Sequence, residues 1–160
     1  MSIENKIKAQ KPFSHQSVLL TQCIEGLHVV EGGVYVAATL GGGGHALSIL
    51  ESAPNVRLYG IDRDPQAMSA AKARLSSYHK QCTIFLGTFS DHISDISEPV
   101  DGILFDLGVS SPQLDQAHRG FSFSKSGPLD MRMNPQKGLS AADIINNSTE
   151  KEIADIIYLF

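Results

Sequence analysis

An α/β fold built on a parallel sheet is predicted by three features of the sequence. Residues 34–45, VYVAATLGGGGH, run apolar and β-favouring into four consecutive glycines, the pattern of a buried strand that delivers the chain into a tight turn. Short apolar segments then alternate with helix-like ones as far as Phe105, which implies β-α-β units. The expected strands also end alike, at Gly41, Asp62, Gly87 and Asp106. Ligands of such sheets bind at the carboxyl ends of the strands, so four ends of this kind converge on one site.

Taken in order, the polar residues 1–14 read as a mobile tail, and His15 to Leu27 as a helix with Leu20, Ile24 and Leu27 on one stripe. The glycine strand follows, and ALSIL (Ala46–Leu50) opens the next helix. Arg57–Ile61 is a second strand, ending at Asp62. Asp64 then stands as N-cap and Pro65 at the first helical position. Ala67, Ala70, Ala71 and Leu75 give that helix a smooth face for a sheet. Thr83–Leu86 and Gly102–Phe105 complete the four strands.

Residues 108–138 change character, being rich in Gly, Pro, Ser and Asp, and are too long for a passive connection. Thr149 and Glu152 have capping-box spacing, opening a helix whose Ile153, Ile156, Ile157 and Phe160 form an apolar stripe. That stripe needs a cover, and four strands are few for a doubly wound sheet. The expectation is a fragment, with self-association or a companion chain meeting the terminal helix.

Composition narrows the class. A chain of 160 residues, 42% hydrophobic and 19% charged, fits one soluble domain. It carries no stretch long enough to cross a membrane and no secretory signal at its start. Cys23 and Cys82 are far apart, and the six histidines lack metal-ligand spacing. A cytoplasmic setting without structural metal is the expectation. The net charge of −4 is unlike that of a nucleic-acid binder, so any such role rests on local clusters or on residues elsewhere.

The glycine run also fits G-x-G-x-x-A through Gly41, Gly43 and Ala46, with Asp62 about 20 residues on, where an acid would hold a ribose. Either this is a nucleotide-binding loop or a glycine turn with no ligand. Farther along, Arg119, Phe121, Phe123, Lys125, Arg132 and Lys137 interleave cations with aromatics. Two accounts stand for them: contact with a splayed RNA base and its phosphates, or a rigid loop tied by Arg–Asp pairs such as Arg132 with Asp130 or Asp115.

Six motifs together are more specific: HQSVLL (15–20), GGGGH (41–45), GIDRDPQA (60–67), DGILFDLGVSSPQLD (101–115), RGFSF (119–123) and GPLDMRM (127–133). From about residue 15 onward the chain resembles the bacterial RsmH (MraW) methyltransferase family. The resemblance implies a Rossmann-like class I methyltransferase fold that methylates the N4 amine of a cytidine in the decoding region of 16S rRNA, using S-adenosylmethionine. Family members are roughly twice as long, so residues 15–138 would be a cofactor-binding domain with an incomplete sheet, and 139–160 the start of an inserted helical domain.

Carried over by motif, the cofactor contacts would be Gly43, Gly44 and His45 in the loop, with Asp62, Phe89, Asp106 and Gln113. Loop N–H groups would face the methionine carboxylate, Asp62 the ribose hydroxyls, and Phe89 the adenine. His45 would make contact through its backbone N–H more than its ring. Asp106 is the candidate acceptor for the amine's hydrogens. The resemblance breaks at Tyr35-Val-Ala37-Ala-Thr39, where the family has Tyr-x-Asp-x-Thr; the missing acid implies weakened cofactor binding. Two competing readings remain: an inactive relative that at most binds cofactor or a partner chain, and a dinucleotide-dependent oxidoreductase. The second leaves DLGVSSPQLD and PLDMRM unexplained.

Overall fold

Four consecutive buried residues, Val34–Ala37, form β1 at the centre of the sheet in the computed structural model, which describes residues 17–159. β1 lies between β2 (Arg57–Asp62) and β4 (Gly102–Leu104), and β2 pairs on its far side with β3 (Cys82–Leu86). Every pairing is parallel, with Val36 opposite Tyr59 on one side and Ile103 on the other. The order β3-β2-β1-β4 is the expected four-stranded sheet. After β3 the chain crosses to the other side of β1, so the strand order reverses between β1 and β4. A crevice opens at such a switch, outside the carboxyl ends.

Both faces of β1 are covered, as its uninterrupted apolar sequence requires. Tyr35 and Ala37 point into the larger cluster, with Ile49, Leu50, Leu58, Ala71 and Leu75. That layer is built by α1 (Leu20–Leu27), α2 (Gly44–Ser52) and α3 (Pro65–Arg74). Ile24 and Leu27 of α1 join it, while His15, the expected start of that helix, lies outside the described residues. Val36, Ala38 and Ile61 occupy the opposite face, flanked by Tyr59, Phe85, Ile96 and Val100. This thinner layer comes from the sheet and from the segment after β3, with α4 (Phe89–His92) and a 3-10 turn at Ile93–Asp95.

Two glycines make the slot for the Tyr35 ring: a Cβ on Gly33 would stand 2.8 Å from it, and one on Gly102 3.1 Å. The phenolic oxygen accepts the Val30 N–H at 3.0 Å, so the deepest ring of the core has its polar end satisfied. At the start of α3, Asp64 Oδ1 accepts the Gln66 N–H at 2.9 Å with Pro65 in the first turn, as expected.

Segment 108–138 is more ordered than its lack of periodicity implied. It contains α5 (Ser111–Asp115) and a 3-10 turn at Ala117–Arg119. The rest folds tightly on itself: Gly120 has φ +77, and a Cβ there would come within 2.7 Å of the Asp130 nitrogen. The Met131 N–H returns to the Arg119 carbonyl at 3.1 Å. Two helices follow, α6 (Ala141–Asn147) and α7 (Glu150–Leu159). α6, absent from the sequence reading, is stitched to the loop by Ala141 N–H on Asp130 O at 2.8 Å and Ala142 N–H on Leu129 O at 2.9 Å. α7 has the expected Thr149–Glu152 box. Its Ile157 and Leu159 are 76% and 70% exposed among the described residues. No helix among the described residues is long and apolar enough to cross a membrane.

Candidate functional site

The four strand ends read from the sequence do meet. Gly41, Asp62, Gly87 and Asp106 all line one cavity of about 530 Å3, together with Phe89 and Gln113. It lies at the carboxyl edge of the sheet, where the strand order reverses.

Asp62 ties the glycine turn to α3. Its Oδ2 accepts the Gly41 N–H at 2.7 Å and its Oδ1 the Asp64 N–H at 2.8 Å. Burial pushes its carboxyl above the ordinary 3.8, and the backbone N–H groups of Asp64, Gly41 and Arg63 partly oppose that rise. A carboxylate oxygen has two acceptor positions. Each oxygen therefore keeps one for a ligand after serving the backbone.

Asp106 is fixed by its own N–H, which donates to Thr39 Oγ1 at 2.7 Å. The end of β4 is thereby tied to the chain just beyond β1. Its Oδ2 stands 3.7 Å from Nδ1 of His45, a ring only 7% exposed. His45 Nε2 is 3.0 Å from the Val18 carbonyl. A carbonyl only accepts, so Nε2 donates to it, which turns Nδ1 toward Asp106. The ring of His45 is thus held between α1's approach and the end of β4.

The three loop residues singled out from sequence sit behind the cavity wall. Gly43 has φ +77 and is packed on α3, where a Cβ would lie 3.3 Å from the Cα of Ala71. Gly44 abuts Ser17 and the Arg74 guanidinium. Neither they nor His45 line the cavity; Gly41 does. The smallness of Gly43 serves the approach of α2 to α3. Ala37 is 1% exposed within the larger core cluster and does not line the cavity either.

Phe89 forms an apolar wall, 39% exposed and edge-on to Phe105 at 5.2 Å. Gln113 is buried with both ends of its amide committed. Its Nε2 donates to Asp64 Oδ2 at 2.8 Å, and its Oε1 accepts the Ser110 N–H at 3.0 Å.

The same Asp64 oxygen receives Arg119 Nη2 at 2.9 Å. Both side chains are buried, and this pair was not foreseen. Arg119 also donates to Gln66 Oε1 at 3.1 Å and to the Met133 carbonyl at 2.8 Å. Of the two accounts of the cation–aromatic segment, the tied loop holds for three residues: Arg119 on Asp64, Arg132 on Asp130 at 2.6 Å, and Lys125 on Asp115 at 3.1 Å. The hydrogen bond from Arg132 holds the Asp130 carboxyl down at about 2. Among the described residues, no group of three or more His, Cys, Asp or Glu side chains is placed to hold a metal ion.

Residues 12–160 match the MraW methylase family. A relative from Stenotrophomonas maltophilia (strain K279a), named ribosomal RNA small subunit methyltransferase H, is 48% identical over 155 residues, which are 95% of this chain and 48% of the relative. A protein of the same name from Brevibacillus brevis is 48% identical over 154 residues, 92% of this chain and 49% of its own. The chain thus spans about half the length of the curated relatives it matches. Among solved structures, one from Clostridium thermocellum described as a candidate rRNA-methylase superposes with a TM-score of 0.50 at 26% identity, covering 56% of this chain and 51% of the other.

Proposed function

The chain belongs to the MraW methylase family, and from that premise we propose that its cavity binds S-adenosylmethionine and that the whole protein methylates the N4 amine of a cytidine in 16S rRNA. The observation that carries the reading is the meeting of Gly41, Asp62, Phe89 and Asp106 around one cavity. The lining suits a nucleoside. A Cβ on Gly41 would meet nothing within 4 Å, so the bend there leaves open space. Ala38 and Ala67 keep the wall low, Phe89 and Val109 offer apolar surface to a base, and Asp62 has acceptor capacity left for hydroxyls.

When bound, the cofactor supplies an electrophilic methyl group on a sulfonium. The chain's own residues bind and orient. Asp62 holds the ribose and the glycine turn at once. Asp106, at the end of β4, accepts a hydrogen of the exocyclic amine; this returns lone-pair density from the ring to nitrogen and gives the released proton a place to go. Alignment of donor and acceptor supplies most of the rate, and the base must leave its stack to reach the cavity.

Gly43, Gly44, His45 and Gln113 belong to this site as its support. The glycines let α2 settle on α3, His45 buttresses Asp106, and Gln113 holds the loop to Asp64. Residues 15–138 form the cofactor-binding half, with 139–160 beginning an inserted helical domain. The test is saturation-transfer NMR of the chain with S-adenosylmethionine and, separately, NAD. Transfer to the first alone is expected. Transfer to NAD alone, or to neither, overturns the reading.

A further inference from the structure

S-adenosylmethionine carries one carboxylate, and neither Asp62 nor Asp106 can donate a hydrogen bond to it while ionised. We propose that the hydroxyl of Thr39 is the donor that holds this carboxylate. This rests on the cofactor reading of the cavity and extends it to the amino-acid half of the ligand.

The sheet order places that half. With the adenine at Phe89, just past β3, and the ribose at Asp62, at the end of β2, methyl transfer falls at Asp106, beyond β4. β1 lies between β2 and β4, so the amino-acid half crosses its carboxyl end. Gly43, Gly44 and His45 follow β1 but stand outside the lining, whereas Ala38, Thr39 and Gly41 belong to it. The Ala38 N–H is spent on the Leu104 carbonyl at 2.9 Å, and the Gly41 N–H on Asp62 Oδ2 at 2.7 Å. Of these three lining residues, only Thr39 has a side-chain donor. Arg63, the cation of the lining, follows Asp62 at the end of β2, and the Thr88 and Ser90 hydroxyls bond each other at 2.7 Å beside Phe89. Those groups belong to the nucleoside end.

The geometry at Thr39 leaves its hydroxyl a donor. With Ala37 opposite Leu104, regular parallel pairing would carry the Asp106 N–H to the Ala38 carbonyl. That N–H goes instead to Thr39 Oγ1 at 2.7 Å. A side chain thus replaces one rung of the ladder where the strands part. An oxygen that accepts such a bond still has its own proton to give, and among the described residues that proton has no acceptor. The accepted bond also polarises the O–H, and the branched β-carbon restricts its rotation. One atom therefore ties β4 to β1 and offers a preset donor to a ligand anion.

Isothermal titration with S-adenosylmethionine, its decarboxylated analogue and 5′-methylthioadenosine tests this in the parent chain, Thr39→Val and Thr39→Ser. Valine keeps the shape of threonine and loses both hydrogen bonds. Freeing the Asp106 N–H acts on all three ligands, so the carboxylate contact is read from the difference between them. Thr39→Val should weaken S-adenosylmethionine about 10-fold more than either analogue, the loss of one charge-assisted bond. Thr39→Ser, which keeps the hydroxyl, should recover most of that difference. Loss by one common factor for all three ligands would mean that Thr39 only ties the strands, and it overturns the proposal. An equal loss for S-adenosylmethionine and its decarboxylated analogue overturns it too. If the parent binds S-adenosylmethionine and Thr39→Val binds it as tightly, this proposal falls and the cofactor reading stands. If the parent binds none of the three, both fall.

Discussion

Replacing Arg119 by methionine removes the guanidinium that joins the motif loop to the start of α3 and leaves Asp64 ionised in a site only 3% exposed. Breaking a buried pair from one side costs about 3–5 kcal/mol. The lower end applies here. Asp64 would keep its bonds from Gln113 Nε2 and the Gln66 N–H, and Arg119 already carries one buried nitrogen, Nε, without a partner. At ~2–4 °C per kcal/mol for a domain of this size, Arg119→Met should lower Tm by roughly 6–12 °C. Asp64→Asn combined with Arg119→Met should recover part of the loss, because the stranded charge is gone while an amide still caps α3. Thermal and urea unfolding of the two single variants and the double give the coupling directly. Lys125→Met, which opens an exposed pair with Asp115, should change stability by less than about 1 kcal/mol. If Arg119→Met unfolds within about 1 kcal/mol of the parent, the loop is not anchored through Asp64 and the placement of Gln113 loses its explanation.

Other side chains of the site and its loop carry measurable consequences. Asp62→Asn leaves one carbonyl oxygen to serve the two N–H groups of Gly41 and Asp64; it should cost about 1–3 kcal/mol in urea unfolding and weaken cofactor binding with it. The Asp130 carboxyl, lowered from 3.8 to about 2 chiefly by Arg132, contributes stability that is present above pH 3.8 and lost as the pH falls toward 2; Asp130→Asn should remove that acid-side loss when unfolding is measured at pH 5 and pH 2.5. Asp62 acts with the opposite sign. Its carboxyl is raised by burial, so its contribution is present below pH 3.8 and declines as the pH rises through the raised value. Ala37→Asp, restoring the acid of the related motif, should lower the Tm of the free chain, because position 37 is 1% exposed in the core and does not line the cavity. An unchanged Tm would show that the core accommodates the acid.

The sheet was legible because its strands are short apolar runs that stop at glycine or aspartate, and residues of that kind leave little choice of local conformation. The cap of α3 was legible for a similar reason, since Asp64 and Pro65 act on the next two residues only. Gln113 carried a readable sign as well: Ser110 and Gln113 have capping-box spacing, and the structure forms that box. Ser140 and Asp143 carry the same sign for α6, a helix too brief for periodicity to reveal. The pairing of Arg119 with Asp64 had no local sign, because the partners are 55 residues apart and the surrounding RGFSF suits a ligand surface equally well. Gly43 and Gly44 show a different limit. A glycine marks a close approach without saying of what, and here the approach is of α2 to α3. The ring of His45 was likewise beyond sequence, since its two partners, Val18 and Asp106, come from opposite ends of the domain.

Residue-by-residue amide mapping of S-adenosylmethionine on the chain tests the central claim most directly. Shifts concentrated at Gly41, Asp62, Phe89 and Asp106, and lost in Asp106→Ala and Asp62→Ala, are the predicted result. Saturable binding that perturbs none of these four residues, or no binding at millimolar cofactor, would contradict it.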